Sequence, residues 1–428
     1  METAAAGEAQ APSGLRAIYR WYVVFLLFLA YASSVADRQV VGILAEPVQR
    51  ELHLLDWQMG FLTGPAVAFF YALLGIPAAY VADRAHRVRF LSACLVVWSG
   101  LTMLGGVALN FAQLALTRAG VSISEAGGTP ASSSIIADYF PPRERPRAMG
   151  FFASAASIGV FVSFAIGGVV SERFGWRGAF FAAGLPGVIL ALLFLLTVRE
   201  PQRGATDDLV AEAHAQPLLA TIRRLLGITL YRRVTLNGAC VASCILVVNA
   251  WGPAFIIRKF HVSTGAVGVL LGSGLGLMGG ACIALGGFIC ATLLKRGIQA
   301  PLRFVGAVQI IAIPCLLFAI TVDDYRLAIL GFSLAYGLQH FYVAVFWLVA
   351  QNYVPTHMRA MAGALGILIA ALIGQGVTPL VVGALSDALR QSLGDRSLQS
   401  ALFLLPVLSL LAGYLYFRTA RQVRRQPA

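Results

Sequence analysis

The chain has 428 residues, 58% of them hydrophobic and 12% charged, with a mean hydropathy of +0.78. A soluble domain carries about twice that share of charge, which excludes a water-soluble enzyme, a soluble nucleic-acid-binding domain and a disordered chain. The net charge of +13 then turns on where the basic residues sit, not on how many there are.

Residues 1–18 are small and polar and read as a tail. They lack a cleavage site, and the apolar run behind them is too long for a signal peptide. A bilayer-crossing helix needs roughly 20 mostly apolar residues. Windows of that kind fall at 19–45, 57–82, 88–109, 112–139, 147–170, 177–198, 233–257, 263–294, 302–322, 326–353, 360–386 and 398–418. The pattern predicts an all-α polytopic membrane protein with twelve transmembrane helices. The polar stretch 199–232 separates a bundle at 19–198 from a bundle at 233–418, and a short tail follows at 419–428. Within the linker, Leu218 to Leu226 has the pattern of a surface-lying amphipathic helix.

Lysine and arginine set the orientation. The side that holds both termini carries 22 of them and the other side 8, with Arg38 and Arg118 inside spans. The positive-inside rule puts both termini in the cytoplasm. The basic residues are thereby topology signals, which argues against nucleic acid as a partner. The six cysteines lie in apolar runs without metal-ligand spacing, so neither a disulfide framework nor a metal site is expected.

Four ionisable residues fall inside spans: Asp37, Arg38, Arg118 and Glu125. A charge in hydrocarbon costs several kcal/mol or more, so these four must face a cavity or one another. Arg118 and Glu125 are two helical turns apart, about 10 Å along one face. Crossed pairs Asp37–Arg118 and Glu125–Arg38 would neutralise all four. Carboxylates balanced between burial and arginine suit proton exchange, while two arginines suit a phosphate or carboxylate. The bland reading is a static cluster pinning two helices.

The second half offers neutral and aromatic candidates: Asn249, Trp251, Tyr336, His340, Trp347 and Gln375. Tyr31 and Ser34 lie beside the charges of the first span. These side chains serve either a substrate wall or interhelical packing. Gly274-Leu275-Gly276-Leu277-Met278-Gly279 fits G-x-G-x-x-G but sits inside an apolar span, so it is not a dinucleotide loop. No nucleophile elbow, His-Glu-x-x-His or Walker A motif occurs, so neither an enzyme nor an ATP-driven pump is expected, and no cofactor is implied.

The halves share a charged hairpin after their second span: Ala79-Tyr80-Val81-Ala82-Asp83-Arg84-Ala85-His86-Arg87-Val88-Arg89, and Gly287 to Arg296. Duplicated halves place a site between them near the midplane. The arrangement resembles the major facilitator superfamily. The 79–89 segment is similar to its loop motif, with Ala79 and His86 in place of the glycines, and Ala291 in place of the aspartate in the second copy. Arg118 and Gly175-Trp176-Arg177 fit the same resemblance. Within it, Asp37-Arg38-Gln39, Arg118 to Ala126, Ile135 to Pro142, Arg147-Ala148-Met149-Gly150 and Trp251 to Phe255 resemble the spinster group, with Ser122 and Ser124 where that group has glycines.

The resemblance implies a secondary transporter that works by alternating access. Its substrate would be a lysophospholipid or sphingoid phosphate, coupled to protons through Asp37, Glu125, Arg38 and Arg118. A latch would form from Asp83, Arg84, Arg87 and Arg145. A proton-linked carrier of a carboxylate or sugar phosphate is the alternative within transport; a receptor without flux is the alternative outside it. A bacterial inner membrane and a monomer are the expected setting.

Overall fold

The computed structural model describes residues 13–82, 84–203, 218–355 and 358–423. The first half comprises α1 (Ser13–Ile43), α2 (Ala45–Leu52), α3 (Asp56–Thr63), α4 (Pro65–Ala82), α5 (Arg87–Gly105), α6 (Phe111–Glu125), α7 (Gly128–Tyr139) and α8 (Arg145–Thr197). A ten-residue helix, α9 (Leu218–Gly227), precedes the second half. That half comprises α10 (Thr229–Phe260), α11 (Thr264–Leu294), α12 (Gln299–Thr321), α13 (Tyr325–His340), α14 (Tyr342–Asn352), α15 (Arg359–Ala370), α16 (Thr378–Leu393), α17 (Ser397–Leu402) and α18 (Leu404–Gln422).

These pieces trace the twelve expected crossings, but several are not single helices. The span at 57–82 breaks at Gly64, where the backbone leaves the helical region. The span at 112–139 breaks between α6 and α7, and that at 326–353 turns at Phe341 between α13 and α14. Conversely, the fifth and sixth spans run on as α8, bent at Gly175 with φ +73°, a conformation that glycine adopts without a Cβ clash. Between α15 and α16, Ala371–Gln375 forms a π-helical turn in which the Gly376 amide reaches the Ala371 carbonyl. Pro379, with no N–H to give the carbonyl four residues back, favours such a local rearrangement.

Two hydrophobic clusters hold the chain. One lies within the first half toward the termini, around Val23, Leu91, Trp98, Ile135 and Phe194. The larger cluster crosses between the halves, joining Val40, Leu44, Val48, Met59 and Phe164 to Val248, Trp251, Phe255, Val267 and Leu271. The crossing is therefore toward the face opposite the termini. Close approach of α8 to α11 makes it tight: a Cβ on Gly268 would lie 2.2 Å from the Phe164 carbonyl oxygen and 3.1 Å from the Gly168 Cα. Small residues at such a crossing let the backbones touch where hydrophobic attraction between helices is weak.

Candidate substrate and coupling site

All four ionisable residues of the spans are brought together between α1 and α6. Asp37, Arg118 and Glu125 are buried, at 0%, 1% and 2% exposure. The Arg38 side chain keeps 20% of its surface. One crossed pair forms, Arg38 Nε to Glu125 Oε2 at 3.3 Å. The other does not close to ion-pair distance. Arg118 instead donates to the Arg38 backbone carbonyl at 3.5 Å, and its Nε and Nη1 have no hydrogen-bond partner. Both carboxylate oxygens of Asp37 likewise lack a partner in hydrogen-bond geometry, although the Thr102 hydroxyl stands beside the carboxyl and Glu125, Arg118 and Arg38 are within electrostatic reach.

Arg38 also donates to the Ser34 hydroxyl at 3.4 Å and lies 5.5 Å from the Tyr71 ring centroid. Tyr31, half-buried, stacks on Phe152 at 4.9 Å. Tyr31, Ser34 and Glu125 line a small recess with Trp98, Thr129 and Ser132.

The second-half candidates divide. The Tyr336 and His340 rings lie 4.5 Å apart, tilted by 51°, His340 Nδ1 lies 2.7 Å from the Tyr336 carbonyl, and Asn249 donates to the Tyr336 hydroxyl at 3.5 Å. Trp347 is 39% exposed. Trp251 is different: it is 1% exposed and donates from Nε1 to the Pro379 carbonyl at 2.9 Å. It packs α10 against α16 and is a structural residue here. Gln375 sits in the π turn and donates to the Thr63 carbonyl of the first half at 3.4 Å, where the breaks in two helices meet.

The contacts recorded for the latch residues lie in the first half and in the segment that follows α8. Asp83 lies outside the described residues. Arg84 is exposed. Arg87 is buried and binds Asp138, the Ser134 hydroxyl at 2.8 Å, Glu200 at 2.7 Å and the Pro201 carbonyl at 2.8 Å. It ties α5 and α7 to the segment after α8. Partial burial acts to raise the Glu200 pKa, but hydrogen bonds from the Val88 amide and Arg87 outweigh it and hold the carboxyl below the ordinary glutamate value. Arg145 Nε donates to the Ala137 and Phe140 carbonyls, each at 3.0 Å, and caps the end of α7.

The densest polar network lies elsewhere, on the face opposite the termini, and the sequence reading missed it. Arg258 at the end of α10 reaches across to the first half. It binds Glu46 and Gln49 of α2, and Asp56 at 2.8 and 3.1 Å. Asp56 further accepts from Gln49 at 2.8 Å and from Ser386 at 2.6 Å. Two carboxylates then cap helices of the opposite half. Asp387 on α16 accepts from the Asp56 and Trp57 amides, at 3.1 and 2.8 Å, at the start of α3. Glu172 on α8 accepts from the Gly265 amide at 3.1 Å at the start of α11. Free amides and the helix dipole both favour an anion at these positions.

A repeat in the sequence matches this arrangement. Arg50-x-x-His53 ends α2 and Arg258-x-x-His261 ends α10. Both histidines adopt the left-handed conformation, at φ +51° and +53°. Ser171-Glu172 and Ser386-Asp387 are the matching acidic pairs. The signal was present as two faint internal repeats, readable only once the halves are superposed by fold.

Comparisons with known proteins agree with this architecture. Residues 27–379 match the Major Facilitator Superfamily. The chain belongs to that superfamily. It is 32% identical over 95% of its length, and 94% of the relative's, to an MFS-type efflux pump of Mycolicibacterium smegmatis. It is 26% identical to protein spinster of Drosophila melanogaster over 92% of this chain and 67% of that one. It is 27% identical to a probable galactarate/D-glucarate transporter of Bacillus subtilis over 88% of each. Among solved structures, a bacterial homologue of the human lysosomal transporter spinster, inward-facing and unoccupied, superposes with a TM-score of 0.88 at 28% identity, covering 96% of this chain and 99% of that one. The occupied form of that homologue gives 0.83. The chain is thus a spinster-like, multi-pass membrane transporter.

Proposed function

We propose that the protein is a proton-coupled secondary transporter that carries an amphiphilic anion of the lysophospholipid or sphingoid-phosphate type by alternating access. The observation that carries the coupling is Asp37, a buried carboxyl with both oxygens unpartnered beside an arginine whose Nε and Nη1 are also unpartnered. An unsatisfied charged pair in hydrocarbon is costly, and a small shift of α1 against α6 would close it. Proton occupancy of Asp37 is thereby tied to helix arrangement. Glu125 is the second exchange group, and Arg38 holds the anionic head because it is both charged and accessible.

The bonds across Arg258, Asp387 and Glu172 hold the halves together opposite the termini, which supports a state closed on that face; the reading takes that face as the outer one, with both termini in the cytoplasm and the protein as a monomer of the cell membrane. The lipid reading rests on spinster kinship and on the aromatic side chains of the second half, of which Trp347 is exposed. An apolar groove of about 580 Å³ between α1, α5-proximal Leu190 and the arms of α8 lies on the side of α1 turned away from Arg38, so it does not extend the head site. A sugar acid is the second reading, supported by the galactarate/D-glucarate relatives.

Proteoliposomes with an internal pH dye test the proposal. Lysolipid or galactarate, whichever is cargo, drives proton movement in the native protein, and Asp37→Asn and Glu125→Gln abolish it while binding persists. If both variants keep full gradient-dependent transport, the coupling assignment is wrong. Binding of each compound to the native protein and to Arg38→Ala decides the substrate class.

A further inference from the structure

The proposed transport does not use the end of α18, where a surface hollow of about 420 Å³ is lined by Tyr414, Phe417, Arg418, Arg421 and Gln422. We propose that this hollow is a binding site for an anionic phospholipid of the surrounding bilayer, distinct from the cargo site.

Three observations carry it. First, among the described residues no carboxylate is paired with the basic charge here. Between Ser397 and Ala428 the sequence holds no aspartate or glutamate, and between Lys295 and Thr321 it again holds none. Yet Arg418 and Arg421 are exposed on α18, and Arg303 is exposed on the neighbouring α12. Arg303 lies three residues before Gly306, the residue that packs on Phe417, so it belongs to the face of α12 turned toward the hollow. Second, the helices are fixed at this end. Gln299 donates to the Val423 carbonyl at 2.7 Å, and Gly306 lets α12 approach α18 closely. The hollow, lined by α18 residues alone, therefore lies on a helix that is held in place by its neighbour. Third, the chemistry grades along one stripe of α18. Arg421, Arg418 and Tyr414 follow at helical spacing and lead down to Leu410 and Val407, which are 55% and 59% exposed. A phosphate gripped by two guanidinium groups would leave its glycerol beside Tyr414 and its acyl chains along the apolar stripe. A zwitterionic lipid fits the same shape but gains less from the arginines.

Native mass spectrometry of the full-length protein, released from micelles of equal phosphatidylglycerol and phosphatidylcholine, tests the site. The native protein should retain phosphatidylglycerol roughly tenfold over phosphatidylcholine, and Arg418→Gln with Arg421→Gln should bring the ratio close to parity. Arg390→Gln, on the opposite face, should leave it unchanged, and equal melting temperatures in phosphatidylcholine show that the double variant is folded. The proposal is overturned if the native protein shows no preference, if the double variant keeps it, or if soluble glycerol phosphate displaces the lipid at equal concentration, which would assign the hollow to a soluble anion.

Discussion

Two charged regions of this protein differ in one respect: whether their hydrogen bonds are complete. Around Arg258, on the face opposite the termini, the guanidinium is met by Glu46, Gln49 and Asp56, and Asp56 is met in turn by Gln49 and Ser386. Around Asp37, inside the first half, both carboxylate oxygens and two guanidinium nitrogens of Arg118 have no partner. A satisfied network holds one arrangement, whereas an unsatisfied one favours any rearrangement that completes it. Under the proposed function the first region acts as a lock and the second as the switch.

The largest expected effect comes from breaking the lock. Arg258→Ala leaves Glu46 and Asp56 without their shared cation, and removing one partner of a buried pair costs about 3 kcal/mol or more. The equilibrium should shift roughly 100-fold away from the state closed opposite the termini, read by the accessibility of cysteines placed beside Gly265 and Trp57. No change in accessibility would show that packing at Gly168 and Gly268 alone closes that face.

The switch is tested next. Asp37→Asn keeps shape and burial but cannot load and release a proton. Uphill accumulation should fall to background while counterflow of the same substrate continues. Loss of both would make Asp37 a structural residue.

Smaller effects probe the symmetry of the lock. Asp387→Asn and Glu172→Gln each weaken one cap, by about 1 kcal/mol. Because the two caps stand in equivalent places, each should raise cysteine accessibility at its own helix start by a similar factor, and the double variant should combine them. A null effect at either site would break the equivalence.

The smallest effect is at Glu200, a tie within the first half. Its folded pKa is lowered, so its contribution is fully present above the ordinary glutamate value and is lost as pH falls through and below it. The gap in melting temperature between the native protein and Glu200→Gln should be widest near pH 7 and shrink toward pH 4. A gap independent of pH would mean that the carboxylate charge contributes nothing.

The sequence alone determined the membrane class, the twelve crossings and the residues at stake in the first half. Composition and the length of apolar runs are local properties, and a charge in hydrocarbon stands out at any position. Only the tertiary structure decided which charges meet. Asp37 and Arg118 look like partners on paper, yet no ion pair closes between them and Arg118 donates to the Arg38 carbonyl instead. Trp251, open on paper between a substrate wall and packing, is buried and donates to the Pro379 carbonyl. Arg258, Asp56 and Asp387 carry no signal in the sequence beyond a place near the ends of spans. Their role depends on contacts between residues more than 200 positions apart, and such distances are set by how two bundles pack, not by any property of the local sequence.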